Sequence, residues 1–405
     1  MTTAPRAAAF LYPWDVVGDP DAARRVAELG VTSVTLASAY HATRALTPRH
    51  PRHRVVTARH AAVYYPPDEA RWDGQPLRPH RQHWVSGADP FGEAVEALAG
   101  AGLDVHSWVI LAHNSRLGAE HPESTVRNAH GDRYPWAPCI ARPEVRGYAV
   151  RLAAEAAPRP GVRGTELESC GWYGLDHLHA HDKIGGGRLG AVGGWLMSLC
   201  FCEVCQSGYA AHGVDPDELR TLVVRALEPY WAGEAGAPPA DRDGERAEFD
   251  RLLGAEPAAA ATAHRDATAD AFQREAVAAV RAAAADRPDF RVLLHADPGP
   301  HRCGANVGVR PAAILDHADG VVVPCGGGPA ERSALLTPFA GHRRPGTVLA
   351  ANFPVIAGMG GSPGTLAADA AHAVELGADE LRLYHAGLAA DDDLRTVAAA
   401  LATLR

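Results

Sequence analysis

Two glutamates stand two residues apart in the segment ELESCGWYGLDHLHAHDK, which is dense in ionisable side chains. Alternate residues of a strand share one face, so Val162, Gly164, Glu166 and Glu168 point the same way. Carboxyl pairs can cleave glycosidic bonds, one as acid and one as nucleophile or base. We predict that Glu168 is the catalytic acid. Glu166 is a second catalytic candidate one layer deeper, where burial demands an Arg, a His or Lys183 as partner; a structural ion-pair network is the alternative for both.

A second group of polar side chains follows Glu168 closely. It consists of Asp176, His177, His179, His181 and Asp182. Imidazole and carboxylate groups at this spacing can bind sugar hydroxyls, chelate a divalent cation or support the residues that do so. We interpret Asp176, His177, His179 and His181 as substrate-binding residues. Lys183, the only lysine in the chain, closes the segment, and we predict that it lies at the mouth of the site because arginine replaces lysine elsewhere.

Further polar and aromatic residues stand at or just past other predicted strand ends. Asp297, in LLHADPG, is the best candidate for the second carboxylate. Burial beside Trp172 and repulsion by a second carboxylate would raise the pKa of Glu168, as an acid working near neutral pH requires. The ring faces of Trp84, Trp108 and Tyr173 are further candidates for sugar stacking, although aromatic residues are more often part of the core. The other predicted substrate-binding residues are Trp14, Tyr40, His41, His113, Asn114, Trp172, His295, Asn352 and His385.

Three cysteines lie within the six residues CFCEVC, at positions 200, 202 and 205. Cys200, Cys202 and Cys205 are close enough in sequence to bind one tetrahedral zinc ion, which needs a fourth ligand. We predict that Cys139 is that ligand; the alternatives are Cys170, Cys303 and Cys325. A four-cysteine site is closed to substrate, so this zinc would be structural. Unliganded buried cysteines are the alternative.

The elements that must position these residues alternate along the chain. Helical patterns end in a small residue or Gly, and an apolar strand follows after a short turn, as in RVAELGVTSVTL, ALAGAGLDVHSW and AVELGADELRLY. Eight such units predict an α/β fold, the (β/α)8 TIM barrel; a doubly wound sheet would have a glycine fingerprint that YPWDVVGDPD lacks. The predicted strands are 10–14, 31–38, 104–113, 162–169, 290–297, 320–325, 347–354 and 380–387.

Two long segments follow predicted strand ends. Residues 39–90 form an insertion after strand two, and residues 170–289 form a helical insertion after strand four that carries the cysteine cluster. Barrel active sites are built from the loops after strand carboxyl ends, so both insertions belong to the catalytic face. We therefore predict one catalytic domain over residues 1–405.

The order of these motifs resembles the family 42 β-galactosidases, which are retaining enzymes on a TIM barrel. Members carry a C-x-C-x2-C run shortly after the catalytic acid at the end of strand four, with an earlier Cys completing a zinc site. Here CFCEVC follows Glu168, and Cys139 is placed like that earlier Cys. The resemblance covers about 70 residues, Cys139 to Gly208, plus the barrel pattern. ELES replaces the family's Asn-Glu pair, and TVLAANFPVIAGMGG lacks its second glutamate, so only a distant glycoside-hydrolase-like barrel is implied.

Composition excludes several classes of protein. Lys+Arg 39 against Asp+Glu 48 gives a net charge of −9 with no basic run, so nucleic acid is not an expected partner. No stretch is apolar enough to cross a membrane, and the first residues lack a signal peptide, so we expect a cytoplasmic protein. Seven cysteines, an odd number, fit a reducing compartment. We expect no organic cofactor, and a homo-oligomer is compatible with the sequence.

Three functions agree with these features. A glycoside hydrolase acting through Glu168 and Asp297 explains the barrel, the carboxylates and the cysteine motif. A metal-dependent sugar isomerase, epimerase or hydrolase would make more use of the 21 histidines. A carbohydrate-binding barrel without activity would explain the missing second glutamate. We predict the first.

Overall fold

Eight parallel strands form the centre of the molecule in a computed structural model that describes residues 5–175 and 182–404. We number the barrel strands in chain order. They are β1 (Arg6–Leu11), β2 (Ser33–Tyr40), β3 (Asp104–Ile110), β4 (Gly164–Glu168), β5 (Arg291–Asp297), β6 (Gly320–Pro324), β7 (Val348–Pro354) and β8 (Glu380–Tyr384).

The sheet closes on itself. Each strand pairs in parallel with the next one along the chain, and Ala8 of β1 lies opposite both Ser33 of β2 and Arg382 of β8. A closed ring of eight parallel strands alternating with helices is the (β/α)8 TIM barrel, so the predicted fold is confirmed.

The outer helices follow the strands in turn. They are α1 (Ala22–Glu28), α2 (Pro90–Gly100), α3 (Pro143–Ala156), α4 (Ala255–Ala283), α5 (Pro311–Ile314), α6 (Pro329–Ala340), α7 (Leu366–Glu375) and α8 (Asp391–Thr403). The glycines that end three of the predicted helix–strand junctions, Gly30, Gly102 and Gly377, have φ values of 85°, 83° and 101°. This left-handed conformation lets the chain leave the helix and enter the next strand within a few residues.

Accessory elements lie in the loops after β2 and β3. After β2 come a hairpin of Thr43–Leu46 with Val55–Ala58, the strand Ala62–Val63, which runs antiparallel to β2, and the helix Glu69–Trp72. The loop after β3 contains the helix Ser115–Glu120, the 3₁₀ turn Pro122–Ser124 and a hairpin of Thr125–Arg127 with Arg133–Pro138.

The loop after β4 carries four helices before α4: Gly190–Met197, Glu203–Ala211, Pro216–Ala232 and Arg242–Leu253. Other short elements are the helix Pro13–Val16, the strand Val307–Gly308 and the 3₁₀ turns Ala357–Met359, Pro363–Thr365 and Ala386–Leu388. Across the described ranges, no helix has the length and apolar character needed to span a bilayer. The division into one domain with two insertions stays a prediction.

The first strand differs from its predicted position. We expected residues 10–14, but β1 begins at Arg6 and ends at Leu11. Tyr12 has extended backbone angles and precedes the helix Pro13–Val16, whose first position suits proline because that residue needs no hydrogen-bond donor there. The alanine run before Phe10 therefore forms the strand, although its composition favours a helix.

The barrel interior contains both apolar and charged side chains. Leu293, Val322, Val348 and Ala350 form a small buried apolar cluster. Glu166, which lies opposite Leu293 in the sheet, and Arg382 also face the interior, because β4 and β8 present every second residue inward. Charged side chains in this position are costly unless they are paired.

Candidate active site

Glu168 is the last residue of β4, and its side chain is only 3% exposed. Three neighbours approach the same carboxyl oxygen, Oε2. Trp108 Nε1 donates a hydrogen bond at 2.9 Å, Tyr384 Oη donates at 3.5 Å, and His295 Nδ1 lies 3.6 Å away. The neighbours belong to β3, β8 and β5, so four strands meet at this carboxyl group at the carboxyl end of the barrel.

The protonated form of Glu168 is favoured by its surroundings. Burial raises the pKa of this carboxyl, and the contacts with His295, Trp108 and Tyr384 oppose the rise without cancelling it. The tryptophan in contact with Glu168 is Trp108, whereas the Trp172 ring packs on the Arg265 guanidinium and its Nε1 donates to the Arg265 carbonyl. The expectation that Trp172 supplies this contact is therefore corrected.

Glu166 lies one layer below and is fully buried. Its Oε1 accepts hydrogen bonds from Arg382 Nε at 2.6 Å and from Thr35 Oγ1 at 3.1 Å. Burial disfavours the charged carboxyl, but Arg382 and His295 outweigh it and lower the pKa of Glu166 to about 2. The expected basic partner is therefore Arg382. Arg382 also pairs with Glu380, and Glu380 with Arg291; we call Glu166, Arg382, Glu380 and Arg291 the interior ionic network.

His295 stands between the two glutamates. Its side chain is 1% exposed, and its Nε2 lies 3.4 Å from Glu166 Oε2 while its Nδ1 faces Glu168. The ring is held edge-on to Phe10, with centroids 5.6 Å apart. The sequence placed His295 at a strand end for substrate binding; the structure places it beneath Glu168.

Tyrosine and histidine rings line the barrel mouth beside Glu168. Tyr12 Oη lies 3.0 Å from Tyr40 Oη and 2.8 Å from His385 Nδ1. Tyr40 stacks on His41, with centroids 4.2 Å apart. Burial lowers the pKa of His41, and burial together with His41 lowers that of His385 to about 3. These imidazoles are therefore neutral at pH 7, as suits hydrogen bonding to hydroxyl groups.

The rings that line the barrel mouth continue in the loop after β3. His113 stacks on Tyr173 with centroids 4.6 Å apart, and its Nδ1 lies 3.0 Å from the Trp136 carbonyl oxygen. The same imidazole is edge-on to His41, at 5.0 Å. The structure therefore brings together His41, His113 and Tyr173, which the sequence proposed from separate segments.

Backbone strain is concentrated at this mouth. Among the described residues, Ser169 and His385 are the two non-glycine residues with positive φ, at 57° and 62°. Each directly follows a residue of the site, Glu168 or Tyr384. L-amino acids avoid this region at a cost on the order of 1 kcal/mol or more, and such residues cluster at functional sites.

Asp297 ends β5 on the same inward-facing side as His295. Arg242 holds it in a bidentate ion pair, with Nη2 at 2.7 Å from Oδ2 and Nε at 3.1 Å from Oδ1. Asp297 Oδ1 also accepts from the Gly299 amide at 2.7 Å. Asp297 and Arg242 line a cavity of about 320 Å³, which Arg302, Asn306 and Glu331 also line.

Two other predicted substrate-binding residues, Trp14 and Asn114, occupy structural positions, and a third, Asn352, has no assigned role. Trp14 is fully buried and stacks on Tyr12, so it presents no free ring face. Asn114 caps the helix Ser115–Glu120, because its Oδ1 accepts from the Leu117 amide. Asn352 is buried near the end of β7, and none of the described residues hydrogen-bonds to its Oδ1.

The histidine-rich segment is only partly described. Lys183 is exposed and lies two residues after the undescribed segment 176–181. Its place at the mouth of the site stays a prediction. Four predicted substrate-binding residues lie outside the described residues: Asp176, His177, His179 and His181.

Sequence reasoning missed several residues of the site. Tyr12, Arg382 and Tyr384 were not proposed, and Trp108 was considered only for sugar stacking. The signal was present in ELRLY, because alternation places Arg382 and Tyr384 on one face of β8, as it places Glu166 and Glu168 on β4.

Four buried cysteines form a separate cluster. Cys139 Sγ lies 3.8 Å from Cys202 Sγ and 3.6 Å from Cys205 Sγ, and the sulfur atoms of Cys139, Cys200, Cys202 and Cys205 all lie within 4.8 Å of one another. Thiolates about 2.3 Å from a tetrahedral zinc ion would be about 3.8 Å apart, so the arrangement fits. Backbone amides of Arg127 and Cys202 point at Cys200 Sγ, as they do towards metal-bound thiolates. The predicted grouping with Cys139 is therefore found.

Comparison with known proteins supports the fold. No protein-family model and no curated protein matches the chain. Among solved structures, the catalytic domain of a β-amylase from Paenibacillus polymyxa matches with a TM-score of 0.56 and 12% identity over 100% of both chains. A catalytic mutant of a family 42 β-galactosidase from G. stearothermophilus matches with a TM-score of 0.53 and 12% identity over 99% of this chain and 56% of that one.

An α-L-fucosidase from Paenibacillus thiaminolyticus matches with a TM-score of 0.54 and 13% identity, over 99% of this chain and 49% of the other. The chain thus spans about half the length of the fucosidase. Identities this low show the fold alone. The chain shares the TIM-barrel fold of these proteins, and the distant resemblance to family 42 enzymes agrees with that fold and with the four-cysteine cluster.

Proposed function

We propose that this protein is a glycoside hydrolase in which Glu168 is the catalytic acid. The observation that carries the proposal is the position of Glu168: a buried carboxyl with a raised pKa at the carboxyl end of β4, facing the barrel axis. A carboxyl with a raised pKa keeps its proton to a higher pH than an exposed carboxyl does, so it can protonate a leaving-group oxygen. The fold shared with solved glycoside hydrolases supports a carbohydrate substrate.

The side chains around Glu168 suit this role. Trp108 and Tyr384 donate to Oε2, so they stabilise the carboxylate that remains after the proton has moved to the leaving oxygen. Neutral imidazoles of His41 and His385, with Tyr40, would bind sugar hydroxyls at the rim.

Asp297 is the proposed second carboxylate. Leu294 lies opposite Leu167 in the sheet, so Asp297 stands two residues above the level of Glu168 on the neighbouring strand. Strand spacing and rise place their Cα atoms about 8 Å apart, within reach of one sugar unit. The bidentate Arg242 pair orients the Asp297 carboxyl group, which suits a nucleophile or base.

Zinc is the proposed occupant of the four-cysteine cluster. Cys139 belongs to the loop after β3 and the other three to the insertion after β4, so the ion would join two loops of the catalytic face. The bound ion would supply folding stability and take no part in the reaction, since four thiolates close its coordination shell.

Paired variants test the two carboxylates on panels of methyl and 4-nitrophenyl glycosides. Glu168→Gln should lower kcat/KM on methyl glycosides by about 100-fold or more, and much less on the activated aryl glycosides, which need little protonation. Asp297→Asn should lower kcat/KM on both the methyl and the 4-nitrophenyl glycosides. Asp289→Asn, an exposed aspartate just before β5, is the matched control.

Other outcomes redirect the assignment. A fully active Asp297→Asn enzyme would move the second carboxylate to Glu166, Asp176 or Asp182. Loss of turnover after metal removal, with the fold intact, would favour a metal-dependent sugar enzyme. Sugar binding by the wild type with no turnover on either panel would indicate a binding protein.

A further inference from the structure

Glu166, His295 and Glu168 form a continuous chain of ionisable groups inside the barrel. The Nε2 and Nδ1 atoms of His295 lie 3.4 Å from Glu166 Oε2 and 3.6 Å from Glu168 Oε2, so one imidazole faces two carboxyl groups. All three side chains are at most 3% exposed. Proton exchange within this chain is therefore shielded from bulk water.

Glu166, at the lower end of this group of three side chains, is held in place by hydrogen bonds. Arg382 and Thr35 both donate to Glu166 Oε1, which leaves Oε2 directed at His295. Neither Glu166 Oε2 nor His295 Nε2 has a hydrogen-bond partner among the described residues, and the two atoms face each other at 3.4 Å. A carboxylate facing a ring nitrogen favours the tautomer with hydrogen on that nitrogen, so the geometry favours hydrogen on Nε2 and leaves Nδ1 to face Glu168.

At Glu168, the upper end of this group, opposing effects act on the ionised and the protonated carboxyl. Trp108 Nε1 can only donate, so it favours the ionised form of Glu168, while burial favours the protonated form. One proton on either His295 Nδ1 or Glu168 satisfies the contact in both states. The charges below compensate each other: Glu166 and Glu380 against Arg382 and Arg291.

We propose that His295 is a positioning residue that shares one proton with Glu168 and has its ring orientation fixed by Glu166. The inference rests on the proposed function, and it adds what sets the pH range of the acid. When Glu168 delivers its proton to the leaving oxygen, the electron pair of the broken C–O bond stays on that oxygen. The Glu168 carboxylate that remains then faces His295.

Within the described residues, the other titratable groups around Glu166, His295 and Glu168 do not compete for this proton. Burial raises the pKa values of Tyr40, Tyr173 and Tyr384, so their hydroxyl groups stay protonated in the working range. Burial lowers the pKa of His106, which also faces Glu166, to about 4, so this imidazole is neutral at pH 7.

The first test is the pH dependence of kcat/KM on methyl glycosides. The acid must be protonated, so activity falls as pH rises through the pKa of Glu168. A shared proton has a second site on His295 Nδ1, so the pair keeps it to a higher pH than Glu168 alone would, and His295→Gln should move the alkaline limb downward by about 0.3 pH unit or more. His50→Gln is the matched control, because His50 is also a buried histidine and hydrogen-bonds to the Val17 carbonyl, away from Glu168. An unmoved limb in an active His295→Gln enzyme overturns the proposal.

The second test needs no activity. Imidazole ¹⁵N shifts report which ring nitrogen carries hydrogen, and the His295 signals are identified by their absence in His295→Gln. In the wild type Nε2 should be protonated and Nδ1 intermediate, whereas in Glu168→Gln the Nδ1 shift should change and Nε2 should not. Identical Nδ1 shifts in the two proteins overturn the proton sharing. Changed shifts in a protein without turnover support it and contradict the proposed hydrolase function instead.

Discussion

At the scale of single residues, the site depends on what surrounds one carboxyl oxygen. Glu168 Oε2 has an indole N–H, a phenol O–H and an imidazole nitrogen within 3.6 Å. Burial and hydrogen bonding act in opposite directions on this group, so its working pH depends on each donor.

Trp108→Phe isolates the indole donor. The ring and its packing on Phe10 are largely kept, but the N–H that stabilises the Glu168 carboxylate is lost. We expect the pKa of Glu168 to rise, and the alkaline limb of the pH–activity profile to rise by about half a unit to one unit.

Trp72→Phe is the control for this change. Trp72 is a buried tryptophan whose Nε1 donates to a different buried carboxyl, Glu155, at 2.9 Å. The Trp72→Phe variant should lose a similar free energy of unfolding, about 1 kcal/mol, and keep the pH–activity profile of the wild type. Equal pH shifts in both variants would show that the effect is not local to Glu168.

Lys183→Arg keeps the charge and changes the shape of the side chain. Lys183 is exposed, so the melting temperature should stay nearly constant. We expect lower turnover on the glycoside panels, since a compact ammonium and a planar guanidinium bind oxygen atoms differently. Unchanged turnover would mean that this lysine has no role at the mouth of the site.

At the scale of elements, the end of β5 and the loop after it meet the helix Arg242–Leu253 through three contacts between ionisable side chains. Arg242 pairs with Asp297, and Glu245 accepts from Arg302 and contacts His301 Nε2 at 2.6 Å. The insertion after β4 therefore helps to orient a proposed catalytic carboxylate.

Arg242→Ala should lower kcat/KM by about tenfold or more, because Asp297 loses the bidentate contact that orients it. The matched control is Arg251→Ala on the same helix, where an exposed arginine pairs with Glu248 and contributes little. Kinetic constants and melting temperatures of both variants are the measurement. Similar kinetics in the two variants would contradict a role for Arg242 in the site.

Cys139→Ser tests the proposed zinc site. Elemental analysis should find about one zinc per wild-type chain and less in the variant, and the melting temperature should fall by about 5 °C or more, since a tetrahedral site loses a ligand. Cys325→Ser, a buried cysteine outside the cluster, should keep the metal. Metal-free wild-type protein with freely reactive thiols would contradict the proposal.

The elements show where sequence reasoning succeeds. Glycine-capped junctions and apolar runs gave the barrel, because both are local signals. β1 was misplaced because an alanine run has no β signature. The hairpin of Thr125–Arg127 with Arg133–Pro138 was missed because its first strand is short and its second contains proline. The pairing of Arg382 with Glu166 spans 216 residues. The cost of burying a charge predicts that Glu166 has a basic partner. Which residue is that partner depends on how the barrel closes.

At the scale of the whole molecule, the interior ionic network joins β4, β5 and β8 across the barrel. Glu166 and Arg382 are almost fully buried, so removing one partner leaves an uncompensated charge in the interior. The same network places His295 beneath Glu168, so stability and the proposed chemistry depend on one set of contacts.

Acid stability therefore tests the network as a whole. The pKa of Glu166 is about 2 in the folded protein and near 4.3 in an unfolded chain, so its ionised form stabilises the fold above pH 4.3 by on the order of 3 kcal/mol. This contribution is lost as pH falls from about 4.3 towards 2. Glu166→Gln should lower the melting temperature strongly at pH 7, and the difference from the wild type should shrink towards pH 3. Glu120→Gln removes a half-exposed carboxylate that pairs with Arg116 and should change the melting temperature little at any pH. A difference for Glu166→Gln that stays constant between pH 7 and pH 3 would show that shape alone, and not the charge of Glu166, holds this part of the barrel.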